Sequence, residues 1–311
     1  MGLLAVALLA TVGGPVFAVV AQRLAVSRKK VFLDKLGRQV ATMALALAVG
    51  TLPFSGGMWV LSWAREWYEL HTRHPELRLP DFSPLLAGEP SLYLAGVFVL
   101  VLVLLGLYVG LWNRLKGAKG VHALLGGICG LAAMALLFGI LSFARAVRVS
   151  PLLGTADGRV LEFLTLLPLH DPGSVVWPLW VEALLTSLAA AGALGLPFLL
   201  LRRGKDDFGR DYYQFAMRFT ASWAFWNTLF QALALVWAVW TLGRWAGGTA
   251  LGTPLMFFPA AALVMQLAAC LLWSFVRRAE NPLRAKPSVI LAAVLFAFSL
   301  SAQGAFLALV P

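Results

Sequence analysis

Eight runs of apolar residues, each long enough to cross the hydrocarbon layer of a membrane, constrain this chain more than any other feature. They lie near Gly2–Gln22, Val40–Trp63, Ser91–Trp112, Val121–Phe143, Val176–Leu201, Phe215–Leu242, Thr253–Val276 and Ser288–Leu309. A spanning helix needs about 20 predominantly apolar residues. Backbone groups in lipid must satisfy their own hydrogen bonds, so each run predicts a helix. A membrane β-barrel would instead show alternating segments of about ten residues. The expected fold is an all-α polytopic membrane protein with about eight transmembrane helices. Composition agrees: 60% of the 311 residues are hydrophobic and 13% are charged, against roughly 25% charged in soluble domains.

The net charge of +11 raises the question of nucleic acid, which the distribution of the charge answers. The segments Arg23–Arg38, Asn113–Gly120, Arg202–Arg218 and Arg277–Lys286 hold 18 of the 25 Lys and Arg residues. All four fall on one side of an eight-span chain, which the positive-inside rule makes cytoplasmic. The N- and C-termini are then expected on the non-cytoplasmic side, and no nucleic-acid partner is needed. The first run lacks a basic start and is followed by Arg23, Arg28, Lys29 and Lys30. That order reads as a retained, reversed anchor, not as a signal peptide.

The landmarks repeat in order. Pro15 precedes the basic stretch Arg23–Arg38, and Pro197 precedes Arg202-Arg203-Gly204-Lys205. Gly88-Glu89-Pro90 before span three matches Gly252-Thr253-Pro254 before span seven, and Asn113-Arg114 matches Arg277-Arg278. Four spans per half keep the same orientation, so a parallel repeat is expected: a unit over 1–143, a non-cytoplasmic connection over 144–175, and a second unit over 176–311. The halves differ in Ala64–Pro90, with Trp67, Tyr68, His71 and His74, and in Arg145–Val175, with the short apolar stretch Val160–Leu169. Long loops of this kind are frequently functional, and these two are expected to dock partners outside.

Residues that could do chemistry are few. Glu182 is the clear acid inside a span, and an intramembrane carboxylate is a candidate for a proton, quinone or ion site; the plainer reading is a carboxylate that reaches the interface or pairs with a loop arginine. Asn227 and Gln231 are one turn apart on span six and are expected to share a face. Gln266 and Gln303, in spans seven and eight, suit hydrogen bonds between helices. Trp223, Trp226, Trp237 and Trp240 suit packing and an interfacial belt. His71 and His74 form an H-x-x-H pair, but catalytic zinc needs a third protein ligand, and Pro75 with nearby charges reads as a solvated loop. His170 has the same standing, and His122 is expected as a polar residue at the interfacial start of span four. Cys129 and Cys270 lie in apolar runs without CxxC spacing and are expected as small core residues. There is no P-loop, no CxxCH haem-attachment motif, no GxSxG elbow, and no histidine deep in a span to ligate haem.

Two stretches carry a resemblance to a known family. VFLDKLGRQVATMALALAVG, residues 31–50, has an Asp-Lys pair and further basic residues leading into the second helix. Trp112-Asn113-Arg114-Leu115, followed by Lys119-Gly120-Val121-His122, links the third and fourth helices. The layout with these stretches resembles the membrane subunits of cytochrome bd-type quinol oxidases and their divergent relatives. The haem-bearing subunit of that family has a histidine in its first helix, which span one lacks, so no haem ligand is carried over and intrinsic haem is not expected. The resemblance implies a haem-free, multi-pass subunit of a respiratory electron-transfer complex in a bacterial-type cytoplasmic (inner) membrane. Other membrane or redox subunits would be its partners, with a quinone or proton site at Glu182, Asn227 and Gln231. Such a chain is expected to be a non-catalytic subunit more than a self-contained enzyme. A small-solute or ion transporter and a membrane scaffold or assembly protein are the alternative readings.

Overall fold

A computed structural model describes residues 2–51, 89–149, 176–206, 208–245 and 253–309. The expectations placed on Trp67, Tyr68, His71, His74, the 160–169 stretch and His170 therefore lie outside the described residues. Those described fold into eight long helices: α1 (Gly2–Ser27), α2 (31–51), α3 (Glu89–Gly110), α4 (Lys119–Val149), α5 (Val176–Arg202), α6 (Arg210–Trp245), α7 (Thr253–Arg278) and α8 (Lys286–Leu309). A short 3₁₀ turn, Pro282–Arg284, precedes α8. Six helices (α1 and α4 to α8) are long and apolar enough to cross a membrane. The protein is a polytopic all-α membrane protein.

The helices extend beyond the apolar runs that reveal them. The basic stretch Arg23–Arg38 is mostly helical, because α1 runs to Ser27 and α2 begins at residue 31. Likewise α6 starts at Arg210, and α4 continues to Val149, past the expected unit boundary at 143. Lys, Arg and Leu are good helix formers, so hydropathy marks where lipid ends and not where the helix ends. The Glu89-Pro90 and Thr253-Pro254 pairs do mark helix starts, since α3 and α7 begin on them. Proline costs nothing in a first turn, where its missing N–H has no partner to lose. Pro15, Pro197 and Pro259 lie inside α1, α5 and α7, which continue through them.

Packing links the halves. Helices α5, α6, α7 and α8 close a ring, each against the next and α8 back against α5. Helix α1 packs on α4 and on α5, and α3 packs on α4. A single buried core runs through both halves, from Val6, Phe17, Leu36 and Met43 to Ala190, Met217, Trp273 and Phe296. In lipid, helices associate through close van der Waals contact, which small residues permit. A β-carbon on Gly13 of α1 would lie 2.0 Å from the carbonyl oxygen of Ser187 on α5, and one on Gly192 of α5 would lie 2.9 Å from Ala224 of α6. Trp223 of α6 locks the junction: it stacks on Phe17 of α1 at 4.4 Å and 5°, and its Nε1–H donates to the Leu188 carbonyl of α5 at 2.9 Å. The outward side chains, among them Leu131, Leu233, Leu271 and Phe298, are apolar and exposed. A protein in water would not leave that surface uncovered; lipid covers it.

Candidate functional site

The acid that the sequence singles out lies buried where α5 meets α6. Glu182 is buried in α5, two turns from its start. Its Oε1 accepts from Gln231 Nε2 of α6 at 3.1 Å. The Thr186 hydroxyl, one turn on, lies 2.9 Å from the same oxygen and 2.7 Å from the Glu182 carbonyl. One hydroxyl proton cannot serve both acceptors. When it points to the carbonyl, the hydroxyl lone pair can accept a proton held on Oε1, so the site suits either form of the carboxyl. Oε2 makes no protein hydrogen bond, and Glu182 takes part in no ion pair among the described residues. The loop-arginine pairing that the sequence allowed is not made by any described arginine.

Further polar groups are buried on the helices of the ring. Thr228 and Gln231 of α6, Gln266 of α7 and Gln303 of α8 are all buried. Both amide atoms of Gln266 lack a partner, as do Thr228 Oγ1, Gln231 Oε1 and Gln303 Nε2. A buried polar group without a hydrogen bond costs roughly 2–7 kcal/mol, so an apolar core would not keep this set. Asn227 does not join it. It is half-buried, and its amide donates to the Trp223 carbonyl of its own helix at 2.8 Å. The shared face expected for Asn227 and Gln231 thus divides, with Gln231 inward and Asn227 toward the rim. The helix-joining bond expected of an intramembrane amide is made by Gln231 and not by Gln266.

Sequence reasoning missed a second buried cluster. His122 is 1% exposed, not an interfacial side chain. Its Nε2 lies 2.8 Å from the Tyr108 carbonyl oxygen, and its Nδ1 lies 2.7 Å from Gln22 Nε2. A carbonyl accepts only, so Nε2 carries the hydrogen and Nδ1 accepts from the Gln22 amide. Tyr108 closes the circuit by donating to Gln22 Oε1 at 3.0 Å. Because α3 ends at Gly110, the Trp112 N–H bonds to Val109 and leaves the Tyr108 carbonyl for His122, a side-chain cap on a helix end. Both ring nitrogens are committed to the protein, and no cluster of three metal-ligating side chains occurs among the described residues. The cluster ties α1, α3 and α4 together and does not fit a haem or metal ligand. Its signal, a glutamine, a tyrosine and a histidine at one end of three separate spans, could not be assembled without knowing which helices touch.

The two stretches behind the family resemblance meet beside this cluster. Asp34 pairs with Lys119 at 3.6 Å, Arg38 donates to Asn113 Oδ1 at 3.3 Å, and Trp112 packs edge-on against His122 at 4.7 Å. A third network crosses between the halves at the same end. Asp206 accepts from Arg202 at 2.8 Å and from Gln39 of α2 at 2.9 Å, and Tyr212 of α6 donates to Gln39 Oε1 at 2.5 Å.

No protein-family model matches the chain, and no curated protein or solved structure matches it. The class, a polytopic helical membrane protein, rests on the fold. The inward-facing acid of α5 is what this fold offers as a site.

Proposed function

We propose that the protein is an integral membrane subunit of an electron-transfer complex, with Glu182 and Gln231 forming a proton or quinone site. One observation carries this reading: Glu182 is buried where α5 meets α6, bonded at Oε1 by uncharged donors and unbonded at Oε2 among the described residues. An intramembrane acid without a counter-charge is costly and is kept for what it does. The residues around it suit a quinone headgroup. A ring carbonyl would take a hydrogen from Gln231 Nε2, and a quinol hydroxyl would give its proton to Glu182. A bound quinone supplies the two-electron, two-proton chemistry; the chain supplies the acid and the donors that orient it. Asn227, half-buried and bonded to its own helix, is left out. In this reading the basic ends of the helices face the cytoplasm, both termini face outward, and the membrane is a bacterial-type inner membrane. Other redox subunits dock on the outward segments Ala64–Pro90 and Arg145–Val175. Mild solubilisation of the native membrane should isolate the chain with redox subunits or bound quinone, and Glu182→Gln should impair quinol turnover of that assembly. A solitary protein free of quinone, or turnover unchanged by the substitution, would remove the assignment.

A second reading, a small-solute or ion transporter, is favoured by Gln266. Its amide sits in the middle of α7 with neither atom bonded, as a polar substrate site between helices would require. Thermal stabilisation by a solute, abolished in Gln266→Leu, would favour this reading.

A further inference from the structure

Four cations surround one concavity at the basic end of the second four-helix unit. A cavity of about 490 Å³ is lined by Arg203, Arg210, Arg284 and Lys286 together with Asn281 and Leu283. They come from three separate stretches: the α5–α6 connection with the first residue of α6, the 3₁₀ turn, and the first residue of α8. Among the described residues, no Asp or Glu lines the cavity. Of the described acids nearby, Asp206 is held by Arg202 and Gln39, and Asp211 and Glu280 are exposed without lining it. The starts of α6 and α8 add unpaired backbone N–H groups and the positive ends of two long helices. Leu283, buried beneath, gives the concavity an apolar floor.

Like charges gathered without an acid repel one another and are retained where an anion offsets them. The depth decides which anion. Arg203, Arg210 and Lys286 lie at or next to the ends of the spans Trp177–Arg202, Arg210–Gly243 and Lys286–Leu307, so the cavity stands at the level of lipid headgroups. A basic pocket between helix ends at this depth suits a phosphodiester headgroup whose acyl chains run down the exposed apolar faces. We infer that the cavity lined by Arg203, Arg210, Arg284 and Lys286 is a binding site for the headgroup of an anionic phospholipid.

The test compares three forms of the full-length protein in nanodiscs holding one part phosphatidylglycerol to nine parts phosphatidylcholine. They are the wild type, Arg203→Gln/Arg284→Gln, and Arg28→Gln/Lys29→Gln, a control that removes the same charge at exposed positions away from the cavity. Native mass spectrometry after mild release reads the phosphatidylglycerol retained. Removing two of the four cations should reduce retention about tenfold or more, with the control close to wild type. Equal retention in all three forms would overturn the site, as would equal loss in both variants, which would make the effect one of net charge. Titration with inorganic phosphate up to millimolar concentration should leave the retained lipid in place. Its displacement there would identify a soluble-anion site and overturn the lipid assignment.

Discussion

Gln231 of α6 donates to Glu182 of α5 at 3.1 Å, and this bond joins two helices through the one carboxyl buried in their shared interior. Replacing Gln231 with Leu should leave Glu182 with Thr186 as its sole donor. The expected loss is about 0.6–2 kcal/mol of stability, the usual worth of a hydrogen bond between membrane helices. The double variant with Glu182→Leu should lose less than the two single losses added together, because the bond can be lost once. Unfolding of the detergent-solubilised protein, followed by circular dichroism, measures it.

The contact between α1 and α5 is set by absent side chains. Gly13→Val forces atoms into the space occupied by the Ser187 backbone, and a backbone cannot step aside as a side chain can. The expected cost is at least that of overpacking a well-filled core, about 1–3 kcal/mol. Gly127→Val, on a helix face that meets nothing within 4 Å, should be nearly silent. Thermal aggregation of the two variants in the same detergent gives the comparison.

His122→Ala orphans three groups at once: the Gln22 amide, the Tyr108 carbonyl and the Tyr108 ring that stacks on the imidazole. Each buried group left unsatisfied costs about 1–3 kcal/mol. A loss of about 2–5 kcal/mol is expected, with spectra and quinol turnover per folded molecule unchanged. His122→Phe should recover the stacking and little else. A selective loss of turnover would instead give His122 a part in the chemistry.

The two acid–base pairs at the basic end should behave differently. Asp34–Lys119 is partly exposed at 3.6 Å, so Lys119→Ala should change stability by about 0–1 kcal/mol, less at high salt. Asp206→Ala should cost more and depend less on salt, since it also strips the Gln39 amide and the Arg202 guanidinium of their acceptor. Melting temperatures at two salt concentrations separate the cases.

The helices were legible in the sequence because lipid demands unbroken apolar runs, and the Gly-x-Pro landmarks lay within two residues of the starts of α3 and α7. The ends at Ser27 and Val149 were not, because charged helix formers carry a helix past the lipid without an apolar signal. Glu182 stood out because a carboxylate in a span is rare, and its partner Gln231 was among the residues named. The separation of Asn227 from that pair depends on the rotation of α6 about its axis, which a helix exposed to lipid on one side and protein on the other leaves undetermined by polarity alone. His122 was misjudged for a related reason. Its position along the chain put it at the interface, while α1 and α3, distant in sequence, enclose it.

On the proposed function, the Glu182 carboxyl exchanges a proton with a ligand where α5 meets α6. Infrared difference spectroscopy, with and without added quinol, tests it on the purified native assembly. The account predicts a change in the carboxylic-acid C=O band on quinol addition that is present in the wild type and lost in Glu182→Gln. A wild-type spectrum with no carboxyl change, or a band that survives the substitution, would contradict it.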